Sequence, residues 1–182
     1  ALVLDSSHAV VHSNIGAVLH DLRRFEEALE SYRKAIELDA GFAAAHMNMG
    51  MAHRLLNQYD EAIAAFRKAI DLRPDYLEAH TSLGASLCEK GLLEEAIISC
   101  RAALAIDPQC APVHSNLLFC LTHLDYPDPA VLLAEHHKFA DIFEEPLRAS
   151  WPVHATTDDP ERVLHIGFVS GDFNNHAVAN FI

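Results

Sequence analysis

Apolar residues recur along residues 9–124 with the three- and four-residue spacing of amphipathic helices. In the first such segment His12, Ile15 and Leu19 fall on one stripe, at positions i, i+3 and i+7. A second stripe follows from Phe25 to Ile36. The two stripes predict a pair of helices. Because each pair has too much apolar surface to be stable alone, several pairs are expected to stack on one another.

The helix pairs repeat with a constant period of about 34 residues. The columns of the repeat are His12, His46, His80 and His114; Gly16, Gly50 and Gly84; Ala28, Ala62 and Ala96; Ala35, Ala69 and Ala103; and the closing Pro74 and Pro108. Glycine inside a helix costs about 1 kcal/mol relative to alanine, so its recurrence predicts a close approach of the partner helix. Proline cannot continue a helix and therefore ends a repeat.

This helix–turn–helix period resembles the tetratricopeptide repeat. The resemblance covers about residues 9–124, as three full repeats and the first helix of a fourth. The predicted fold is therefore mostly α: a tetratricopeptide-repeat α-solenoid over residues 1–124.

One column lies off the apolar stripe and holds Asn14, Asn48, Ser82 and Asn116. A side-chain amide offers both donors and an acceptor, so a ladder of amides can pair with the backbone of an extended peptide irrespective of that peptide's sequence. We therefore predict these four residues to bind substrate polypeptide. The alternative is that Asn is merely tolerated on a solvent-exposed helix face.

The histidine column invites a metal hypothesis, since the chain has 13 histidines. Equivalent residues on stacked helix pairs lie about 8–10 Å apart or more, whereas metal–nitrogen bonds are about 2 Å long. Neighbouring histidines of the column therefore cannot share an ion. We predict that they are packing residues and that there is no metal site.

The net charge of the chain bears on which classes of binding partner are expected. With 13 basic and 26 acidic residues the formal net charge is −13, which repels a phosphate backbone, so nucleic acid is not an expected partner. No apolar run reaches the roughly 18 residues of a membrane span. The four cysteines form no CxxC pair, which favours a reduced, cytoplasmic protein. Neither end of the sequence looks like a natural terminus, so we expect a fragment of a longer protein.

After the repeats the pattern changes. Asp128 followed by Pro129 predicts a helix start, and we expect one helix over about 129–144 inside a capping and connecting segment, 125–161. The apolar run 163–170 then predicts a buried strand that ends in a loop and a helix start. Residues 162–182 are thus predicted to be the truncated first strand–loop–helix of a Rossmann-like α/β lobe.

The order of repeats, helical connector and this last segment resembles the protein O-linked N-acetylglucosamine transferase family, especially its bacterial members. The first catalytic strand of that family reads (I/V)GYVS and is followed by a (S/P)DF…NH loop. The residues that match it here are Ile166, Gly167, Phe168, Val169, Ser170, Asp172, Phe173, Asn175 and His176.

The resemblance implies a GT-B glycosyltransferase that moves N-acetylglucosamine from UDP-N-acetylglucosamine to Ser or Thr of proteins, with inversion and without a metal or other cofactor. It implies that an Asn ladder grips the acceptor polypeptide and that His176 lies in the active site. Independently of the family, His176 follows the carboxyl end of a strand, where open α/β sheets bind ligands. Ala177 and Asn180 depart from the family pattern, which weakens any assignment of the donor sugar.

Three possibilities stay open. The first is that the chain is part of such an enzyme, with the fragment itself inactive. The second is a non-enzymatic scaffold of tetratricopeptide repeats for protein–protein interaction, and the third is a repeat array joined to some other α/β enzyme. The predicted strand at 163–170 favours an enzyme, because a scaffold has no need for an isolated buried strand.

Overall fold

The computed structural model describes residues 2–150, and the side chains of residues 8–150. Eight α-helices follow one another in the described part of the chain: α1 Leu2–Asp21, α2 Phe25–Leu38, α3 Ala43–Leu55, α4 Tyr59–Leu72, α5 Leu77–Glu89, α6 Leu93–Ile106, α7 Ala111–Thr122 and α8 Pro129–Phe139. The predicted helical repeat is confirmed. The predicted strand 163–170 and the rest of segment 162–182 lie outside the described residues.

Consecutive helices pair into hairpins, α1 with α2, α3 with α4 and α5 with α6. The predicted reason for the glycine column is confirmed. A Cβ added at Gly16 would lie 2.5 Å from Cε1 of Tyr32, and one at Gly50 would lie 2.6 Å from Cε1 of Phe66. Both rings are fully buried, so a ring of the second helix fills the space that the missing side chain leaves on the first.

The third hairpin uses a smaller pair. A Cβ at Gly84 would lie 3.1 Å from Sγ of Cys100, which is a tight but less severe contact. The alanine columns support the same approach from the second helix, because all six of their residues are fully buried: Ala28, Ala62, Ala96, Ala35, Ala69 and Ala103. Cys100 and Cys120 are free thiols in the core, as predicted, and burial raises the pKa of Cys100 to about 11.

The turn inside each of these hairpins has three residues, and its central residue adopts a left-handed conformation. Arg23 has φ 60°, Asn57 has φ 58° and Gly91 has φ 81°. The three positions again differ by one full repeat each. Only glycine adopts this conformation without steric cost, and asparagine tolerates it better than arginine does.

The fourth hairpin is built differently. Helix α8 begins at Pro129, and the Asp128 side chain accepts a hydrogen bond of 2.9 Å from the Ala130 amide, so the predicted helix start is confirmed. The six residues 123–128 connect it to α7. Helix α8 contacts α7, and Phe139 and the following Phe143 pack edge-on against the His114 ring.

The predicted extent of this last helix needs a correction. The α-helix ends at Phe139, and a π-helical turn, Ala140–Glu144, and a 3₁₀ turn, Glu145–Ser150, continue it. Helical structure therefore passes through Pro146, where a connector was expected. Proline is tolerated there because the first turn of a helix has no internal acceptor for its missing N–H. No described helix has both the length and the apolar character required to cross a bilayer.

Candidate functional site

The first helices of successive hairpins lie side by side. Helix α3 contacts both α1 and α5, and α5 contacts α7. Each of α3, α5 and α7 also packs against the second helix that precedes it. We call the surface formed by α1, α3, α5 and α7 the first-helix row. A feature that recurs once per repeat on these helices therefore forms a line across the row.

The predicted amide column lies on this row. Asn14 is exposed, and Asn48, Ser82 and Asn116 are partly exposed. The Ser82 hydroxyl on α5 donates a weak hydrogen bond to Sδ of Met51 on α3, with 3.5 Å between the two atoms. Ser82 therefore faces the neighbouring first helix, and Asn14 lines a groove on α1 together with Val11 and Ile15.

The three amides of the column are unpaired within the described part of the chain. Among those residues, the side chains of Asn14, Asn48 and Asn116 make no hydrogen bond. Adjacent helices in contact are about 8–10 Å apart, which is close to three residues of extended chain at about 3.3 Å each. An extended peptide that crosses the row would meet one residue of the amide column about every third peptide residue.

The row carries little charge. Arg54 is the only Lys or Arg in the sequences of its four helices. Its Nη1 lies 3.1 Å from Oε1 of Glu89, so this ion pair joins α3 to α5 and neutralises the guanidinium. The four helices carry four carboxylates, those of Asp5, Asp21, Glu78 and Glu89, against this one guanidinium, so the row is polar and mildly acidic.

The histidine column lies elsewhere, in grooves between consecutive second helices. His46 lines a groove of about 590 Å³ between α2 and α4, His80 one of about 350 Å³ between α4 and α6, and His114 one of about 530 Å³ between α6 and α8. One histidine of the column lies on the first helix at the floor of each groove, and His53 also lines the groove between α2 and α4. Within the described residues no group of three or more His, Cys, Asp and Glu could hold a metal ion.

The predicted packing role fits these histidines. His80 Nε2 lies 2.9 Å from the Pro74 carbonyl, and His114 Nε2 lies 2.8 Å from the Pro108 carbonyl, so each ring can donate to the turn that precedes its helix. His46 is buried, but its Nε2 has no partner within hydrogen-bond distance. Burial lowers the pKa of His46, and the nearby carbonyl of residue 40 offsets part of that effect.

The structure places the amide column on four adjacent first helices, and its role in binding stays a prediction. The predicted site residue His176 lies outside the described residues. Sequence reasoning missed the Arg54–Glu89 pair, which has no counterpart in the other repeats and so gives no periodic signal. It also missed the bonds from His80 and His114 to proline carbonyls. A signal for them was present, because each histidine follows a proline at the same short interval.

Comparison with known proteins agrees with this arrangement. Two family models of the tetratricopeptide repeat match the chain, one over residues 9–42 and 43–76 and the other over residues 77–110. No curated protein sequence matches the chain.

Several solved structures share the fold at low sequence identity. A crystal structure of MamA protein is 20% identical, with TM-score 0.71, and the match covers 86% of this chain and 83% of MamA. The first TPR of Spaghetti (RPAP3) bound to the HSP90 peptide SRMEEVD is 22% identical, with TM-score 0.65 and coverage of 66% and 96%. The second TPR domain of human RPAP3, in complex with the HSP70 peptide SGPTIEEVD, is 22% identical, with TM-score 0.61 and coverage of 66% and 98%.

Proposed function

Because the chain belongs to the tetratricopeptide repeat family, we propose that its first-helix row binds an extended polypeptide segment. Asn14, Asn48, Ser82 and Asn116 bind the main chain of that segment. One observation carries the proposal: these side chains occupy one position on four adjacent helices, and the three amides have no hydrogen-bond partner among the described residues.

The chemistry of the rungs matches a peptide backbone. An amide side chain can donate to a peptide carbonyl and accept from a peptide N–H at the same rung. A typical hydrogen bond contributes about 1 kcal/mol net. Ser82 is expected to contribute least to peptide binding, because its side chain is shorter than that of Asn and its hydroxyl already donates to Met51.

The same surface indicates which peptides it favours. The peptides bound to the two RPAP3 domains end in the acidic sequence EEVD. Here the one guanidinium of the row, that of Arg54, is paired with Glu89, and the whole chain has a formal net charge of −13. An acidic peptide would meet no free Lys or Arg on the row and would be repelled at long range. The proposed ligand is therefore a neutral or basic segment.

The proposed context for this binding is protein O-glycosylation. The repeats would present Ser- or Thr-containing polypeptide to a GT-B catalytic domain that uses UDP-N-acetylglucosamine, with His176 in its active site. The match of residues 166–176 to the family strand and loop supports this proposal. The alternative is a non-enzymatic interaction scaffold in the cytoplasm, and the peptide-bound tetratricopeptide structures favour it.

The binding proposal is tested with the triple variant Asn14→Ala, Asn48→Ala, Asn116→Ala. The probe is an uncharged fluorescent peptide of about 12 residues containing Ser and Thr, which is long enough to cross the row. Three lost hydrogen bonds of about 1 kcal/mol each predict affinity about 100-fold weaker by fluorescence anisotropy.

The matched control is Gln109→Ala, which removes an exposed amide outside the row and is expected to leave affinity unchanged. Equal affinity for the triple variant and the original chain, with unchanged circular dichroism, would remove the amide column from the binding surface.

The enzymatic proposal has a separate test in the intact protein that contains this chain. Transfer of radiolabelled N-acetylglucosamine from the UDP sugar to protein is expected, and His176→Ala is expected to abolish transfer while UDP binding persists. Peptide binding without any transfer by the intact protein would favour the scaffold.

A further inference from the structure

The first-helix row carries a second set of positions beside the amide column. On each first helix the residues three and seven positions after the amide-column residue lie on the same stripe, and all of them are at least partly exposed. We call these residues the flanking pairs. They are Ala17 and Asp21 on α1, Met51 and Leu55 on α3, Ala85 and Glu89 on α5, and Phe119 and His123 at the end of α7.

The flanking pairs alternate in chemistry from one helix to the next. On α3 and α7 both side chains are large and apolar or aromatic, and Leu55 is 42% and Phe119 50% exposed. On α1 and α5 the pair is an alanine and a carboxylate, and the Asp21 side chain is 86% exposed. The row therefore presents two apolar contact points, on α3 and α7, with a small residue on the helix between them.

The pair on α7 is held in one geometry. The Phe119 and His123 rings are stacked, with centroids 4.0 Å apart and planes inclined by 24°. Nδ1 of His123 donates a hydrogen bond of 2.8 Å to the Phe119 carbonyl, which fixes the imidazole against the phenyl ring. Because both rings are already ordered, an aromatic ligand side chain that packs on them pays less conformational entropy on binding.

The two apolar contact points define a spacing in the ligand. Helices α3 and α7 are two helices apart in the row, which corresponds to about 16–20 Å. An extended peptide covers that distance in five or six residues at about 3.3 Å each. Successive side chains of an extended chain point to opposite sides, so only the even spacing, i and i+6, places both side chains on the row.

We infer that the first-helix row selects polypeptide segments with two apolar side chains six residues apart, of which one is aromatic. The aromatic side chain stacks on Phe119 and His123, and the other contacts Met51 and Leu55. The exposed carboxylate of Asp21 favours Lys or Arg at the end of the segment that lies on α1. This inference rests on the peptide binding proposed above and adds which sequences are bound.

The test uses three fluorescent peptides of twelve residues, each built from Ser, Thr and Ala with one Lys at an end. The first peptide has Phe at its third and ninth positions, the second has Phe at its third and eighth positions, and the third has Ala in place of both. By fluorescence anisotropy the first is expected to bind at least about tenfold more tightly than the second, because only its two rings lie on the same side.

Variants of the protein assign the two contact points. Phe119→Ala is expected to weaken binding of the first peptide about tenfold, and Leu55→Ala about fivefold, while both leave the third peptide unaffected. Both side chains are exposed, so circular dichroism should not change. The matched control is Tyr126→Ala, which removes an aromatic side chain that is 94% exposed in the connection between α7 and α8, and it is expected to alter the affinity for none of the peptides.

Failure of this inference is distinguishable from failure of the proposed function. Equal affinity for the first and second peptides, or no effect of Phe119→Ala while the triple Asn variant weakens binding of the third peptide, would overturn the inference and leave binding by the amides in place. If none of the three peptides bound, both would be wrong. A dimer of the chain, seen by light scattering and lost in Phe119→Ala, would assign the aromatic pair to a second copy and also overturn the inference.

Discussion

The first three hairpins and the fourth use equivalent first helices but pack their second helices differently. In the first three, glycine on the first helix faces Tyr32, Phe66 or Cys100 on the second. In the fourth hairpin the large side chain is on the first helix and the small one on the second, because Leu118 stands at the glycine position and Ala134 at the position of Cys100. Ala134 is exposed on α8, whereas its three counterparts are buried.

The comparison shows what fixes the hairpin. A glycine that receives a ring or a thiol lets two helices approach closely, and a three-residue turn with a left-handed centre closes them. The fourth hairpin has neither feature. Contacts from Phe139 and Phe143 to the His114 ring hold the end of the chain to α7 there, after a connection of six residues, 123–128. The close approach of the two helices therefore depends on the glycine with its facing side chain and on the turn. The 34-residue period alone does not produce it.

The largest expected effect comes from filling a glycine. Gly50→Ala puts a Cβ 2.6 Å from the buried Phe66 ring, and such overpacking costs about 1–3 kcal/mol, which outweighs the ~1 kcal/mol that alanine gains in a helix. With two ring atoms at 2.6 and 2.7 Å we expect a net loss of about 2 kcal/mol in the free energy of unfolding. Urea denaturation measures it.

The matched variant is Gly84→Ala, whose closest contact would be the Cys100 thiol at 3.1 Å and which is expected to change stability by less than about 1 kcal/mol. The double variant Gly50→Ala, Phe66→Cys reproduces within the second hairpin the alanine–cysteine pair that Gly84→Ala creates in the third. It should be more stable than the sum of the two single effects predicts. Equal losses for Gly50→Ala and Gly84→Ala would show that the ring contact does not limit the approach.

The sequence predicted the hairpins well because their packing is periodic. Each close contact recurs in a column, and a column such as Gly16, Gly50 and Gly84 is visible without a structure. The position of the amide column was predictable for the same reason, since a constant spacing on stacked helices brings equivalent residues into line. Its ligand was not, because an unpartnered amide does not specify which peptide it binds.

The features that sequence reasoning missed are those that occur once. Helix α8 occupies the sequence register of a second helix, one repeat after α6, but only Ala130 keeps the column identity of Ala96. The Arg54–Glu89 pair joins two helices through side chains that no other repeat carries. Single contacts of this kind depend on where the helices finally pack.

A smaller effect is expected from His46, which is buried and whose Nε2 has no partner within hydrogen-bond distance in the described part of the chain. Its pKa in the folded protein is lowered by burial, so the unfolded chain binds its proton more readily. Stability is therefore complete above the ordinary histidine pKa of about 6.5 and declines as the pH falls through the folded value. Protonated His46 would hold an unpaired buried donor, which costs about 1 kcal/mol or more.

The variant His46→Gln is expected to reduce the loss of stability between about pH 7.5 and pH 5 by about 1 kcal/mol, measured by urea denaturation at each pH. The same groove is lined by four charged residues whose effects on the pH dependence of stability are not changed by this substitution: Arg33, Glu37, Glu61 and Lys68. His136→Gln, at an exposed position on α8, should leave the profile as it is. An unchanged pH profile in His46→Gln would exclude this residue as the source.

The smallest effect comes from the turns that close the first three hairpins. Arg23 has φ 60° and Gly91, at the equivalent position, has φ 81°. A left-handed conformation costs a non-glycine residue about 1–2 kcal/mol, and the greater freedom of glycine in the unfolded chain cancels part of the gain from replacing it. We expect Arg23→Gly to stabilise the protein by about 0.5 kcal/mol.

Asn57→Gly serves as the comparison, because asparagine adopts φ 58° at little cost and its side chain accepts a hydrogen bond from Tyr59. Its expected change is close to zero. Asp125→Gly, at the equivalent position of the fourth connection, should not stabilise at all, since residues with positive φ in the described part of the chain are confined to the first three turns. A gain at Asp125 as large as that at Arg23 would mean that glycine acts through chain flexibility, and the contrast between the two kinds of hairpin would then not lie in their turns.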